Sequence, residues 1–121
     1  MVFIGIGKRF SLKNEEQYDT IGAFWDDLAS KYGLENLKGL GYDWQDGTMA
    51  YAIGLKDGII AGANVQLPLP DNGWESVVGD TDRLKDLYDD IYAVSPLQYE
   101  IETFFDDGTC HIEFIRQTID N

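Results

Sequence analysis

Two Asp-Gly hairpins, each preceded by a strand and an amphipathic helix, predict an α+β domain built from duplicated βαββ modules. The strands would form one antiparallel sheet with two helices on one face and a groove on the other. Three observations support this reading. The Asp46-Gly47 and Asp107-Gly108 dipeptides each sit between β-rich runs, two helical stripes stand at matching places, and Gly and Pro punctuate the middle of the chain. The expected division is one domain over 1–121, with a first module at 1–58, a connecting segment at 59–73 and a second module at 74–121.

The chain opens on the β-rich run Val2-Phe3-Ile4-Gly5-Ile6-Gly7. Its glycines lack the third glycine and the immediate helix of a dinucleotide-binding loop, so that reading is rejected. From about Glu15 to Tyr32, Tyr18, Ile21, Trp25, Leu28 and Tyr32 recur at helical spacing, and Gly33 suits the left-handed end of that helix. Leu40 to Trp44 and Thr48 to Leu55 flank Asp46-Gly47. A two-residue turn would set Trp44 opposite Met49, Tyr42 opposite Tyr51 and Leu40 opposite Ile53, leaving Gly41, Asp43, Ala50 and Ala52 as a small or acidic face. Such a face suits either close approach of another element or the floor of a hollow.

Between Lys56 and Gly73 lie several turn signals, with a short strand expected at Ala63 to Leu67. Trp74 to Val78 is the next strand. Asp80 or Thr81 is placed to cap a second helix carrying Leu84, Leu87, Tyr88, Ile91 and Tyr92, which Ser95-Pro96 ends.

The closing hairpin, Gln98 to Ile115, turns on Asp107-Gly108. With a two-residue loop, Phe105 pairs with Cys110, Thr103 with Ile112 and Ile101 with Phe114 on one face. The opposite face sets Phe104 across from His111, Glu102 across from Glu113 and Glu100 across from Ile115. Facing glutamates repel. Exposure to water, a raised pKa on one carboxyl, or a cation held between them would each relieve the repulsion.

The 44% hydrophobic and 13% aromatic content excludes disorder. Nine basic residues against 22 acidic ones give a charge of −13, which argues against direct nucleic-acid binding and is compatible with positive ligands. No apolar run reaches a membrane span and no secretory leader is evident, so no membrane partner is expected. The single Cys110 supports no disulfide framework, which makes a reducing cytoplasm the expectation. No metal site or cofactor is expected. His111 and Cys110 point to opposite faces of their strand, and neither Asp89-Asp90 nor Asp106-Asp107 has calcium-loop spacing. No serine sits in a nucleophile-elbow motif.

Three segments carry a likeness to a known family. Ile21-Gly22-Ala23-Phe24-Trp25-Asp26-Asp27-Leu28 resembles the tryptophan-bearing first helix of GyrI-like effector-binding domains, which occur in AraC-type and multidrug-responsive transcription regulators. Met49-Ala50-Tyr51-Ala52-Ile53-Gly54 resembles their aromatic-then-glycine strand. Ile101-Glu102-Thr103-Phe104 with His111-Ile112-Glu113-Phe114-Ile115 resembles their closing pattern. Two departures stand out: Arg116-Gln117-Thr118-Ile119 replaces a proline-valine ending, and Phe104 replaces a tyrosine. An alternative alignment uses Glu100 as the family glutamate.

The resemblance implies a pocket for lipophilic cationic organic compounds at the junction of the halves. Glu102 would be the charged anchor, and Phe104, Trp44, Tyr51, Trp74 and Ile115 the walls. Lacking a helix-turn-helix segment, the chain resembles free-standing members, including those of integron cassettes, and a separate regulator or other protein is a further partner to expect. The resemblance also implies two rival functions. One is hydrolysis of strained cyclopropane electrophiles, with Glu102 as base and Tyr51 orienting the substrate. The other is a protein-binding role like that of the gyrase inhibitor.

Overall fold

The computed structural model describes residues 1–118 as one seven-stranded antiparallel sheet in the order β4-β1-β3-β2-β6-β7-β5. The strands are β1 Val2–Ser11, β2 Leu37–Gln45, β3 Thr48–Leu55, β4 Val65–Pro68, β5 Glu75–Asp80, β6 Leu97–Phe104 and β7 Thr109–Arg116. Two helices, α1 Gln17–Tyr32 and α2 Leu84–Val94, complete the fold. The expected second module, 74–121, and the Ile119 of its ending extend to residues outside those described.

Outward from the central β2–β6 seam, each half runs in the same order: second strand of its hairpin unit, third strand, first strand. Both helices lie on one face. Phe24, Trp25 and Leu28 of α1 pack with Leu37, Tyr51 and Ile53, while Tyr88 and Ile91 of α2 pack with Leu97, Ile112 and Phe114. The opposite face is not bare. Phe3, Leu40, Ala52 and Ile101 form a second core there with Leu69, and Trp74 and Leu67 pack against it. The segment between the halves therefore supplies both an edge strand, β4, and an apolar cover.

The two Asp-Gly dipeptides make different turns. Asp46 and Gly47 both take positive φ, 52° and 71°, as a two-residue type I′ turn requires, and Gln45 pairs with Thr48. The expected partners beyond that turn are nevertheless shifted by one. A bulge between Tyr42 and Gln45, with Asp43 at φ 52°, sets Gly41 opposite Tyr51 and Tyr42 opposite Ala50. Arg9 clamps the bulge, donating to the Asp43 carbonyl at 3.0 Å and pairing with its carboxylate at 2.5 Å.

In the second hairpin only Gly108 is left-handed, at φ 88°. Phe105 N donates to Thr109 O at 3.0 Å, so the loop has three residues, Asp106 to Gly108, and the expected Asp106–Thr109 pairing is overturned. The Asp107 carboxylate stabilises this loop by accepting from Thr109 N at 2.9 Å and from its hydroxyl at 2.6 Å. The shift moves every side chain to the other face. Glu102 now lies opposite Ile112 and Glu100 opposite Phe114, while Glu113 pairs with Ile101 on the far face. The expected Glu102–Glu113 repulsion does not arise.

The strand expected at Ala63 to Leu67 spans Val65–Pro68. The expected side-chain cap on α2 is absent: Thr81–Arg83 form a short 3-10 turn, and neither it nor α2 receives a side-chain cap hydrogen bond.

Candidate functional site

A cavity of about 770 Å³ opens between α1 and α2, floored by β3, β2 and β6. It therefore lies on the helix-bearing face, whereas the site is expected on the opposite one, where a second hollow of about 600 Å³ is lined by Tyr42, Leu67 and Tyr99. The one-residue shift in the second hairpin sets Glu100, Glu102 and Phe104 on the same face as Phe114, Ile112 and Cys110, which the helices cover together with Tyr51.

Of the residues expected to form a site, Glu102, Phe104, Trp44 and Tyr51 line this cavity. Trp74 and Ile115 do not. Trp74 packs in the core of the opposite face, its indole donating to the Pro70 carbonyl at 2.8 Å. Ile115 pairs with Tyr99, whose ring packs on that same far side. Glu100, weighed as the alternative to Glu102, lines the cavity together with it. Alternation along β6 points Glu100, Glu102 and Phe104 the same way.

Both carboxyls are buried, Glu100 at 3% exposure and Glu102 at 4%. Each has its own phenol. Tyr51 donates to Glu102 Oε1 at 2.5 Å and accepts from the Trp25 indole at 2.8 Å, which makes a chain from α1 through β3 to β6. Tyr92 of α2 donates to Glu100 Oε2 at 2.8 Å. Tyr88, one helical turn earlier and stacked on Tyr92 with ring centroids 5.5 Å apart, points its hydroxyl at the pair. That hydroxyl favours the charged form of Glu102, yet it makes no hydrogen bond of acceptable geometry.

Glycine in β2 makes room for this arrangement. Across the seam Gly39 pairs with Glu102 and Gly41 with Glu100. A Cβ on Gly39 would stand 2.1 Å from the Tyr51 hydroxyl, and one on Gly41 would stand 2.6 Å from Glu100 Oε1. The carboxyl of Glu100 and the phenol of Tyr51 thus lie over a strand stripped of side chains.

Electrostatics follow from burial. Desolvation raises the Glu100 pKa well above the usual carboxylate range, and the neighbouring Glu102 charge raises it further, against the Tyr92 hydrogen bond. Desolvation also raises Glu102, less strongly, because Tyr51 and Tyr88 stabilise its anion. The same negative centre acts on the phenols: burial and then the charges of Asp89 and Glu100 push Tyr18 up to about 12. Among the described residues the charged side chains on the cavity wall are all acidic, with Asp26, Asp82 and Asp106 joining the two glutamates. No group of three or more His, Cys, Asp or Glu among the described residues is placed to hold a metal ion.

Sequence reasoning passed over Tyr88, Tyr92 and Gly39. The two tyrosines stand at i and i+4 on an apolar stripe, where the core reading absorbs them. Only their proximity to β6 shows that they serve carboxylates.

The fold and the site together define a small α+β domain with an acidic, aromatic-walled cavity between its two helices. No protein-family model, curated protein or solved structure matches the chain. No helix among the described residues is long and apolar enough to cross a membrane.

Proposed function

We propose that the chain is a small-molecule effector-binding protein of GyrI-like kind, a duplicated βαββ fold whose cavity takes lipophilic cationic organic compounds. One observation carries the reading: Glu100 and Glu102 are buried side by side on the wall of an aromatic cavity to which no basic side chain contributes. An uncompensated carboxylate in such surroundings is costly. A cation of suitable shape offsets that cost, and a neutral isostere does not.

The walls suit the rest of such a molecule. Trp25 and Phe104 meet edge to face with centroids 4.8 Å apart, and Met49 and Trp44 supply further polarisable surface. Aromatic faces add cation–π attraction of roughly 0.5–2 kcal/mol each. The matching strand order of the two halves supports the duplicated-module reading.

Binding ranks above hydrolysis of a strained ring by Glu102. Its Oε1 already accepts the Tyr51 hydroxyl at 2.5 Å, so that oxygen is occupied and not free to take a proton from an attacking water. A thermal-shift screen over lipophilic cations, neutral isosteres and anions tests the proposal, because a ligand that binds only the folded state raises its stability. Cation-selective stabilisation that is lost in Glu102→Gln supports it. Equal shifts from the neutral isosteres, or turnover of a cyclopropane electrophile that Glu102→Gln abolishes, would displace it.

A further inference from the structure

The hydrogen-bond inventory of the cavity specifies the cation more narrowly. Glu102 receives Tyr51 on Oε1 and Glu100 receives Tyr92 on Oε2. The other oxygens, Glu102 Oε2 and Glu100 Oε1, take no hydrogen bond of good geometry from any described residue. A carboxylate has about four acceptor sites, so most of the capacity of this pair is unused. Gln17 Oε1, on the same wall, is also a buried acceptor without a donor. The Tyr88 hydroxyl, on a residue 4% exposed, is likewise without a partner. One oxygen of each carboxyl and the Gln17 amide oxygen thus stand open as acceptors, against the one unpartnered phenol of Tyr88.

The two carboxyls stand two residues apart on one strand face, roughly 7 Å between Cα atoms. Glu100 Oε1 lies over Gly41, where a side chain would otherwise intervene. A single small group with N–H bonds pointing in two directions can reach both. A methylated ammonium carries the charge but offers no N–H to either oxygen.

We infer that the positive group recognised here is a primary ammonium or an amidinium, which donates N–H bonds to Glu100 and Glu102 together. This inference rests on the cation-binding reading above and narrows its ligand class. Every group facing the pair is acidic or phenolic: Tyr18 from α1, Tyr51 from β3, Tyr88 and Tyr92 from α2, and the Cys110 thiol from β7. None of them can supply the missing positive charge. Burial raises both carboxyls, so any proton that a bound cation removes from them passes to the buffer.

The experiment uses three probes with one naphthylethyl body, ending in –NH3⁺, –N(CH3)3⁺ or –OH. Binding to the unmodified protein is measured by titration calorimetry in two buffers of different ionisation enthalpy. The ammonium is expected to bind roughly tenfold or more tighter than the trimethylammonium, as hydrogen bonds to charged groups imply. It should also release a fraction of a proton, and that fraction should fall toward zero as pH rises. Glu100→Gln and Glu102→Gln should each erase the preference and the proton release. If the trimethylammonium binds as tightly as the ammonium, and both bind above the alcohol, the N–H inference fails while cation binding stands. Equal binding of the alcohol, or no binding by any probe, overturns both. The comparison on unmodified protein decides even if a glutamine variant fails to fold.

Discussion

The two hairpins use the same Asp-Gly dipeptide and meet at the seam with opposite chemistry. β2 brings glycine at 39 and 41, and β6 brings glutamate at 102 and 100 directly across from them. One strand gives up side chains so that β6 can lay two carboxyls, and β3 the Tyr51 phenol, in a buried recess. The chemical asymmetry of this one strand pair is what produces a site. The cavity wall is therefore a property of the pairing, and neither strand would create it alone.

Filling the glycine side should break this relation most severely. A Cβ at 39 would sit 2.1 Å from the Tyr51 hydroxyl and 2.7 Å from the Trp25 ring, both on fully packed aromatic residues. Gly39→Ala is expected to cost about 3 kcal/mol in denaturant unfolding. Gly41→Ala meets the ends of two flexible side chains, Glu100 and Met49, at 2.6 and 2.8 Å. It should cost visibly less and displace Glu100 instead. Equal costs at the two positions would show that the rigidity of the aromatic chain is not what separates them.

On the glutamate side the test is pH. The folded pKa of Glu100 is raised above its ordinary value of 4.5, so between those two values the folded state holds more protons than the unfolded one. Stability then falls as pH rises through that window, the penalty being absent below it and complete above it. Each unit of elevation costs about 1.4 kcal/mol. Glu100→Gln removes the ionisation and keeps an acceptor for Tyr92. It should leave stability near pH 4 unchanged and raise it at pH 7, which thermal melts across pH 4 to 8 would read. A variant that is no more stable than the parent at pH 7 would mean that the carboxyl is not desolvated.

The same comparison shows what sequence can carry. Helix stripes, strand order and turn positions are all legible from periodicity and from Asp-Gly, because each is local. Register is not local. Asp46 accepts a positive φ and closes a two-residue turn, whereas Asp107 uses its carboxylate to hold Thr109 and closes a three-residue one. The dipeptide is identical and the outcome differs by one residue, enough to move Glu102 from a face shared with Glu113 to one shared with Ile112. Glu102, Phe104, Trp44 and Tyr51 are candidates through the family resemblance, which assigns residue types and not the face they take, and all four line the cavity. Trp74 was misplaced because its partner surface, Leu69 with Phe3 and Leu40, comes from strands and a connecting segment far apart in sequence.

The smallest effect should come from the bulge that shifts the first hairpin. Asp43 holds φ 52°, a conformation that costs an ordinary residue roughly 1–2 kcal/mol and glycine almost nothing. Its ion pair with Arg9 is about half exposed, and such pairs contribute about 0–1 kcal/mol. In Asp43→Gly the relief of strain is offset by the lost pair together with the roughly 0.5–1 kcal/mol entropic cost of glycine, so the variant should unfold within about 0.5 kcal/mol of the parent. Asp43→Val loses the same pair and adds strain, because a β-branched residue tolerates positive φ far less well than Asp, so it should be destabilised by about 2 kcal/mol. Both variants lack the Arg9 pair, so the difference between them reads the cost of a side chain at positive φ. If the valine variant matched the glycine one, position 43 would not hold a left-handed conformation, and the bulge would not be what sets Gly41 opposite Tyr51.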